Sequence, residues 1–232
     1  MAPILSVRDL TVRFGERTII QNLSFSVERG ENVAIIGPNG AGKTVLLRAL
    51  LHLLPYEGVI EWAPEVKLGY VPQKIAADRQ LPLDVNDLLA AKARLLKLPA
   101  QNVRPVAERV GVTPELLDSS VGVLSGGEFQ KALIAFALLG NPNVLLFDEP
   151  MASLDELTEE HIYDLLRDLQ RQQHLTVLLV SHDLSVVYQF ATNVLCLSKG
   201  KPCFGPPTEI LTPQNLEAIY SAPVKFHQHH HD

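Results

Sequence analysis

Eight residues, Gly37-Pro38-Asn39-Gly40-Ala41-Gly42-Lys43-Thr44, have the form Gly-x-x-x-x-Gly-Lys-Thr. A run of this kind cradles phosphate, because its glycines let the backbone wrap closely round an anion with successive N–H groups pointing at it. Lys43 adds a full positive charge for the outer phosphates, and the hydroxyl of Thr44 suits Mg2+. Further along, Leu124-Ser125-Gly126-Gly127-Glu128 opens a helix with two glycines in its first turn. Glycine there weakens the helix but lets an external phosphate approach bare N–H groups. Ser125 with Glu128 three residues on is also the capping-box pattern, which explains those two residues on structural grounds alone. Two phosphate-binding elements in one chain suggest a nucleotide gripped between two copies of it.

Asp148-Glu149-Pro150 follows four apolar residues, so both carboxylates emerge at the C-terminal edge of a buried strand, where open α/β sheets bind ligands. Neighbours on a strand point to opposite sides, which lets Asp148 face Mg2+ while Glu149 serves as general base to a water molecule. His182 closes another strand through Ser181. A neutral imidazole there can hydrogen-bond a γ-phosphate and hold it in line with the attacking water.

The elements that must position these groups are legible from hydrophobic period. Val33-Ala34-Ile35-Ile36 reads as a buried parallel strand and Val45 to Leu51 as the helix after it, so the phosphate loop joins a strand to a helix N-terminus. Residues 4 to 27 alternate as an antiparallel β layer, and two short β runs follow, Val59 to Trp62 and Lys67 to Val71, the second ending at Pro72-Gln73. From 74 to 123 the character is helical, broken by Pro82, Pro99, Pro105 and Pro114, with helices near Leu88 to Leu96 and Val106 to Val110. Helix Glu128 to Leu139, strand Val144 to Phe147, helix Leu157 to Gln172, and strands Leu175 to Val180 and Val194 to Leu197 then alternate as in a parallel sheet covered on both faces.

A chain of 232 residues holds one large α/β domain with a self-sufficient core. Its formal charge of −6 argues against bulk electrostatic binding to nucleic acid. Cys196 and Cys203 are too few for a disulfide framework and not spaced as a zinc knuckle, so a reduced, cytoplasmic compartment is expected. No uninterrupted apolar stretch reaches the roughly 20 residues of a membrane span. If the chain serves a membrane process, another chain does the crossing.

Taken together and in order, the loop 37 to 44, Gln73, the motif 124 to 128, Asp148-Glu149, Ser153-Leu154-Asp155 and His182 resemble the ATP-binding subunit of an ABC transporter over nearly the whole chain. The resemblance implies an α/β fold: a P-loop NTPase core with a parallel sheet, an N-terminal antiparallel β layer and an inserted small helical subdomain. The single domain would comprise a core of residues 1–73 and 124–212, a helical subdomain of 74–123 and a histidine-rich tail of 213–232. It implies ATP and Mg2+ as cofactors, with the nucleotide held by Gly37 to Thr44, by Val45, by Phe14 stacking on adenine, and by Gln73 and Asp148, Mg2+ being reached through Thr44, Gln73 and Asp148. It implies a head-to-tail homodimer in which Ser125, Gly126 and Gly127 of one copy complete the site on the other, with Asp155 bridging the sites. Integral membrane permease subunits and an external metal-binding protein would be further partners, and the cytoplasmic face of the membrane the location.

Two departures stand out. Glu128 replaces the family's usual glutamine, and its side chain is expected to turn towards ribose or solvent to avoid repelling a γ-phosphate. Met151-Ala152 stands where a threonine and a small polar residue are usual. Within the family the chain is most similar to ATPases of zinc and manganese importers, on the segments Gly69 to Lys74, Leu81 to Val85, Ser125 to Glu128 and Val180 to Leu184, with zinc the leading cargo and manganese next. Leu81, Leu83 and Val85 are either a permease-facing groove or core of the subdomain. At the end of the chain His227, His229, His230 and His231 are ligand types suited to Zn2+, although a disordered polar end or a cloning remnant fits the same composition. The competing readings are an ABC ATPase serving another small solute and a soluble ABC ATPase without a transport role.

Overall fold

The computed structural model describes residues 2–73, 83–149, 154–198 and 202–220. The first strands are β1 (Leu5–Phe14), β2 (Arg17–Val27) and β3 (Asn32–Ile36), followed by helix α1 (Lys43–Leu50) and the short strands β4 (Glu57–Trp62) and β5 (Leu68–Val71). Helices α2 (Val85–Leu95), α3 (Val103–Arg109), α4 (Pro114–Leu117) and α5 (Gly126–Leu138) come next. Strand and helix then alternate: β6 (Val144–Asp148), α6 (Glu156–Gln173), β7 (Thr176–Val180), α7 (Leu184–Phe190), β8 (Asn193–Cys196), β9 (Cys203–Gly205), α8 (Pro207–Ile210) and α9 (Pro213–Tyr220). The segment 74–82 and the residues Pro150, Met151, Ala152 and Ser153 lie outside the described residues, as does the histidine tail.

The chain forms two compact units. In the unit of Met1–Ile4, Glu28–Glu31 and Trp62–Leu179, β5 and β6 run parallel with Val71 opposite Phe147, and β7 lies on the other side of β6. All five residues of β6 are buried, as a strand covered on both faces requires. Each large apolar side chain so buried contributes roughly 1.5–3 kcal/mol. Gly69 lets β5 lie close to α5: a Cβ there would stand 2.7 Å from the carbonyl oxygen of Ala137.

Among the helices of this unit, proline acts at starts as well as breaks. Pro114 opens α4 behind an N-cap from Thr113, whose Oγ1 accepts from Leu116 N at 3.3 Å. Pro105 lies in the first turn of α3, where no N–H is needed. The expected helix of 106–110 therefore begins earlier, at Val103.

In the unit of Leu5–Val27, Asn32–Glu61 and Val180–Asp232, β1 lies between β2 and β4 in an antiparallel layer, and β3 pairs in parallel with β8. Ala34 and Ile36 of β3 pack with Val187, Val194, Leu216 and Ile219 in one apolar cluster, which seats α7 and α9 behind the strand. Asn32 fixes the strand's start, donating its side-chain amide to Phe190 O at 3.1 Å and its backbone N–H to Thr192 Oγ1 at 3.0 Å.

The two cysteines depart from expectation. Antiparallel pairing of β8 with β9 sets Cys196 opposite Cys203 with Cα atoms 5.0 Å apart, and the sulfurs are bonded. Two cysteines make no framework, but they make one staple on an edge hairpin.

Candidate functional site

The phosphate loop belongs to the second of these units. All five residues of β3 are buried, and the chain leaves the strand at Gly37, which has a φ of 148°. A Cβ on Gly37 would stand 2.1 Å from the carbonyl oxygen of Leu197, so only glycine fits. The loop closes with Ala41 N donating to Pro38 O at 3.1 Å and with Gly42, at φ 101°, as the N-cap of α1. That helix end has no side-chain cap and no acidic residue in its first turn. The N–H groups left over, together with the positive end of the helix dipole, make an anion site.

Lys43 is only 6% exposed, and its Nζ donates to the carbonyls of Gly37 at 2.9 Å and Pro38 at 3.3 Å. The cation is thus folded into the loop it serves. Thr44 follows it half-buried. Phe14 ends β1 with 49% of its surface exposed, which leaves its ring available for stacking. His182 is exposed between β7 and α7, in a turn set by its neighbours: Ser181 Oγ accepts from Asp183 N at 3.1 Å, and Asp183 caps α7 by accepting from Ser185 N at 2.8 Å and Val186 N at 3.3 Å. Tyr220, at the end of α9, was not foreseen; burial pushes its hydroxyl up, and the Gly37 backbone opposes that shift. Its signal in sequence, one aromatic at the end of a short helix, is too weak to have found it.

Gln73, Asp148 and Glu149 belong to the first unit. Because Val71 pairs with Phe147, residues two further on in each strand come level, and Gln73 Nε2 donates to Glu149 Oε2 in a short hydrogen bond. Asp148 is the last residue of β6 and only 2% exposed. Glu149 has left the strand with a φ of 50°, so it is not placed by strand alternation as expected. A non-glycine residue held there stores of order 1–3 kcal/mol, a cost that functional sites commonly carry.

Ser125 caps α5, and the capping box is complete in both directions. Ser125 and Gly126 are exposed and Gly127 half-buried. Glu128 is exposed, and its carboxylate is also engaged at its own helix start. Its Oε2 accepts from Ser125 N and from Ser125 Oγ, each at 2.8 Å, and its own N–H donates to Ser125 Oγ at 3.3 Å. The orphan donors of a helix start find an acceptor in this carboxylate. Those bonds, with Lys131 adding a smaller pull, hold its carboxyl below the usual range. Asp155 caps α6 in the same manner, accepting from Thr158 N and Thr158 Oγ1, both at 3.0 Å, and is likewise lowered.

Oxygen donors of the kind Mg2+ takes are offered by Thr44 in one unit, and by Gln73 and the buried carboxylate of Asp148 in the other. Among the described residues no group of three or more His, Cys, Asp and Glu side chains could hold a metal by itself. None of the helices described is long and apolar enough to cross a membrane.

Residues 20–152 match the family described as ABC transporter. The chain is 39% identical over 221 residues to the "Probable metal transport system ATP-binding protein" of Thermotoga maritima, covering 94% of this chain and 90% of that one. It is 35% identical over 234 residues to the "Zinc import ATP-binding protein ZnuC" of Rickettsia conorii, covering 99% and 97%. Its backbone is similar to a chain of a metal-chelate type ABC transporter solved in an inward-facing conformation, with a TM-score of 0.84, 29% identity and coverage of 96% and 90%. With a phosphate loop of this geometry and similarity of this extent, the chain belongs to the ABC transporter family as one of its ATP-binding, ATP-hydrolysing subunits.

Proposed function

We propose that the chain powers import of a divalent metal ion, zinc before manganese, through membrane permease subunits that receive the ion from an external binding protein. The chain itself would sit on the cytoplasmic face. The observation that carries this reading is its similarity, over 94% or more of its length, to proteins named for metal transport and zinc import.

In this reading the backbone N–H groups that the loop 37 to 44 offers, all but that of Pro38, and the Lys43 ammonium hold the phosphates of ATP, Val45 lies against the nucleotide and Phe14 stacks on adenine. Mg2+, held by Thr44, Gln73 and Asp148 with those phosphates, would neutralise charge on the transferring group. Glu149, tethered by Gln73, takes a proton from the attacking water, and His182 keeps the γ-phosphate in line. Ser125, Gly126 and Gly127 of a second copy complete the site, with Asp155 bridging the pair. ATP closes the homodimer and hydrolysis opens it, and segment 74–123 passes that motion to the permease. Moving an equilibrium from 1:99 to 99:1 needs about 5.5 kcal/mol, within reach of two sandwiched nucleotides.

The test is reconstitution with the permease and binding protein in liposomes. Zinc on the binding-protein side should accelerate ATP hydrolysis, manganese less so. Stimulation by a different solute and by neither metal would refute the cargo assignment. The tail of His227, His229, His230 and His231 is proposed as a zinc-binding end; calorimetry showing no more heat than a variant cut after Phe226 would remove it.

A further inference from the structure

We infer that Glu128 is a positioning residue that restrains the nucleotide-contacting serine and links closure of the dimer to uptake of a proton. The inference rests on the proposed role of Ser125 towards a partner's ATP. Ser125 Oγ has one proton, and it is donated to Glu128 Oε2 at 2.8 Å, while the same oxygen also takes the Ser125 N–H. A hydroxyl so engaged cannot at the same time donate to a phosphate. Closure therefore has to take the serine proton away from the carboxylate and bring a multiply charged γ-phosphate towards it.

A glutamine at 128 would face no such conflict, since it keeps a cap acceptor without charge. A carboxylate avoids it in two ways: by swinging away from Ser125, or by becoming neutral. The charged groups acting on it set the balance. Among the described residues, Lys131 on the same helix favours the carboxylate, and it also acts on Asp155 at the start of α6. In the open state the Ser125 bonds keep Glu128 ionised. An approaching phosphate raises its proton affinity, because like charges disfavour the ionised form. Proton uptake then accompanies closure, which is favoured as pH falls and opposed as pH rises.

The experiment uses the full-length chain carrying Glu149→Gln, so that ATP is bound but turned over slowly, and reads the dimer dissociation constant with Mg-ATP by sedimentation at pH 6.5 and 8.5. Adding Glu128→Gln should tighten the dimer by on the order of tenfold at pH 8.5 and by less at pH 6.5. Glu128→Asp, which retains the charge, should keep the pH dependence of the parent. Thermal unfolding of each variant without nucleotide separates a changed helix cap from a changed closure. If the parent dimerises with ATP and all three proteins show the same constants at both pH values, Glu128 is a cap only and the inference fails. If the parent does not dimerise with ATP, the role assigned to Ser125 fails first, and the inference with it.

Discussion

Replacing Gly37 by alanine tests whether the phosphate loop is shaped by backbone packing. The added Cβ would lie 2.1 Å from Leu197 O, whereas ordinary contact begins near 3.4 Å, a deficit of 1.3 Å. No side-chain rotation relieves it, because the obstacle is backbone, and Leu197 N is itself bonded to Ile36 O at 2.8 Å. The backbone conformation costs an L-residue about 1–2 kcal/mol, and overpacking adds about 1–3 kcal/mol. Gly40 is the control: its φ is +79° but nothing lies within 4 Å of an added Cβ, so it bears only the first of these costs. For a chain of this size each kcal/mol lowers Tm by about 2–4 °C. Thermal unfolding followed by circular dichroism should place Gly37→Ala about 2–12 °C below Gly40→Ala. The rise in Tm that saturating ATP gives the wild type should also vanish in Gly37→Ala. A Gly37→Ala protein melting within about 1 °C of wild type, or no lower than Gly40→Ala, would refute the packing argument.

Other consequences follow from the same geometry. Glu149→Gln should leave ATP binding intact and slow single-turnover hydrolysis by on the order of 10² to 10⁴; an unchanged rate would assign the base elsewhere. Because its cap bonds lower the carboxyl of Asp155 in the folded state, its contribution to stability is fully present above the ordinary carboxylate range and lost as pH falls through the folded value. Asp155→Asn keeps a cap acceptor and should flatten the acid limb of Tm against pH; an acid limb identical to wild type counts against the assignment. Reducing the Cys196–Cys203 bond should cost on the order of 2–3 kcal/mol by the loop-entropy relation. Melting with and without dithiothreitol measures that loss, and free thiols in the untreated, denatured protein would show the bond absent.

Elements with a clear hydrophobic pattern are legible in the sequence. The β3 and β6 strands are apolar on both faces and α6 is strongly two-sided, so period alone placed them to within a residue or two. Other elements carry no such signal. Strand β9 has three residues and exists because Cys203–Gly205 pairs with β8, while α7 is a single capped stretch of seven residues from Leu184. Proline misled where it opens a helix, as at Pro114. In the site, residue types and spacing pointed to the loop and its carboxylates, but two details needed tertiary structure. Glu149 is set by a left-handed turn and by Gln73 from a neighbouring strand, and Glu128 by competition among donors at one helix start.

The central claim is that a catalytic site is completed only between two copies, and trans-complementation tests it most directly. A Lys43→Ala chain and a Ser125→Arg chain should each be inactive alone. Mixed dimers would carry one site with both defects and one with neither, so random pairing should restore single-turnover hydrolysis at about a quarter of the wild-type number of sites. Were each chain to build its own site, every site in the mixture would carry a defect, and no activity would return.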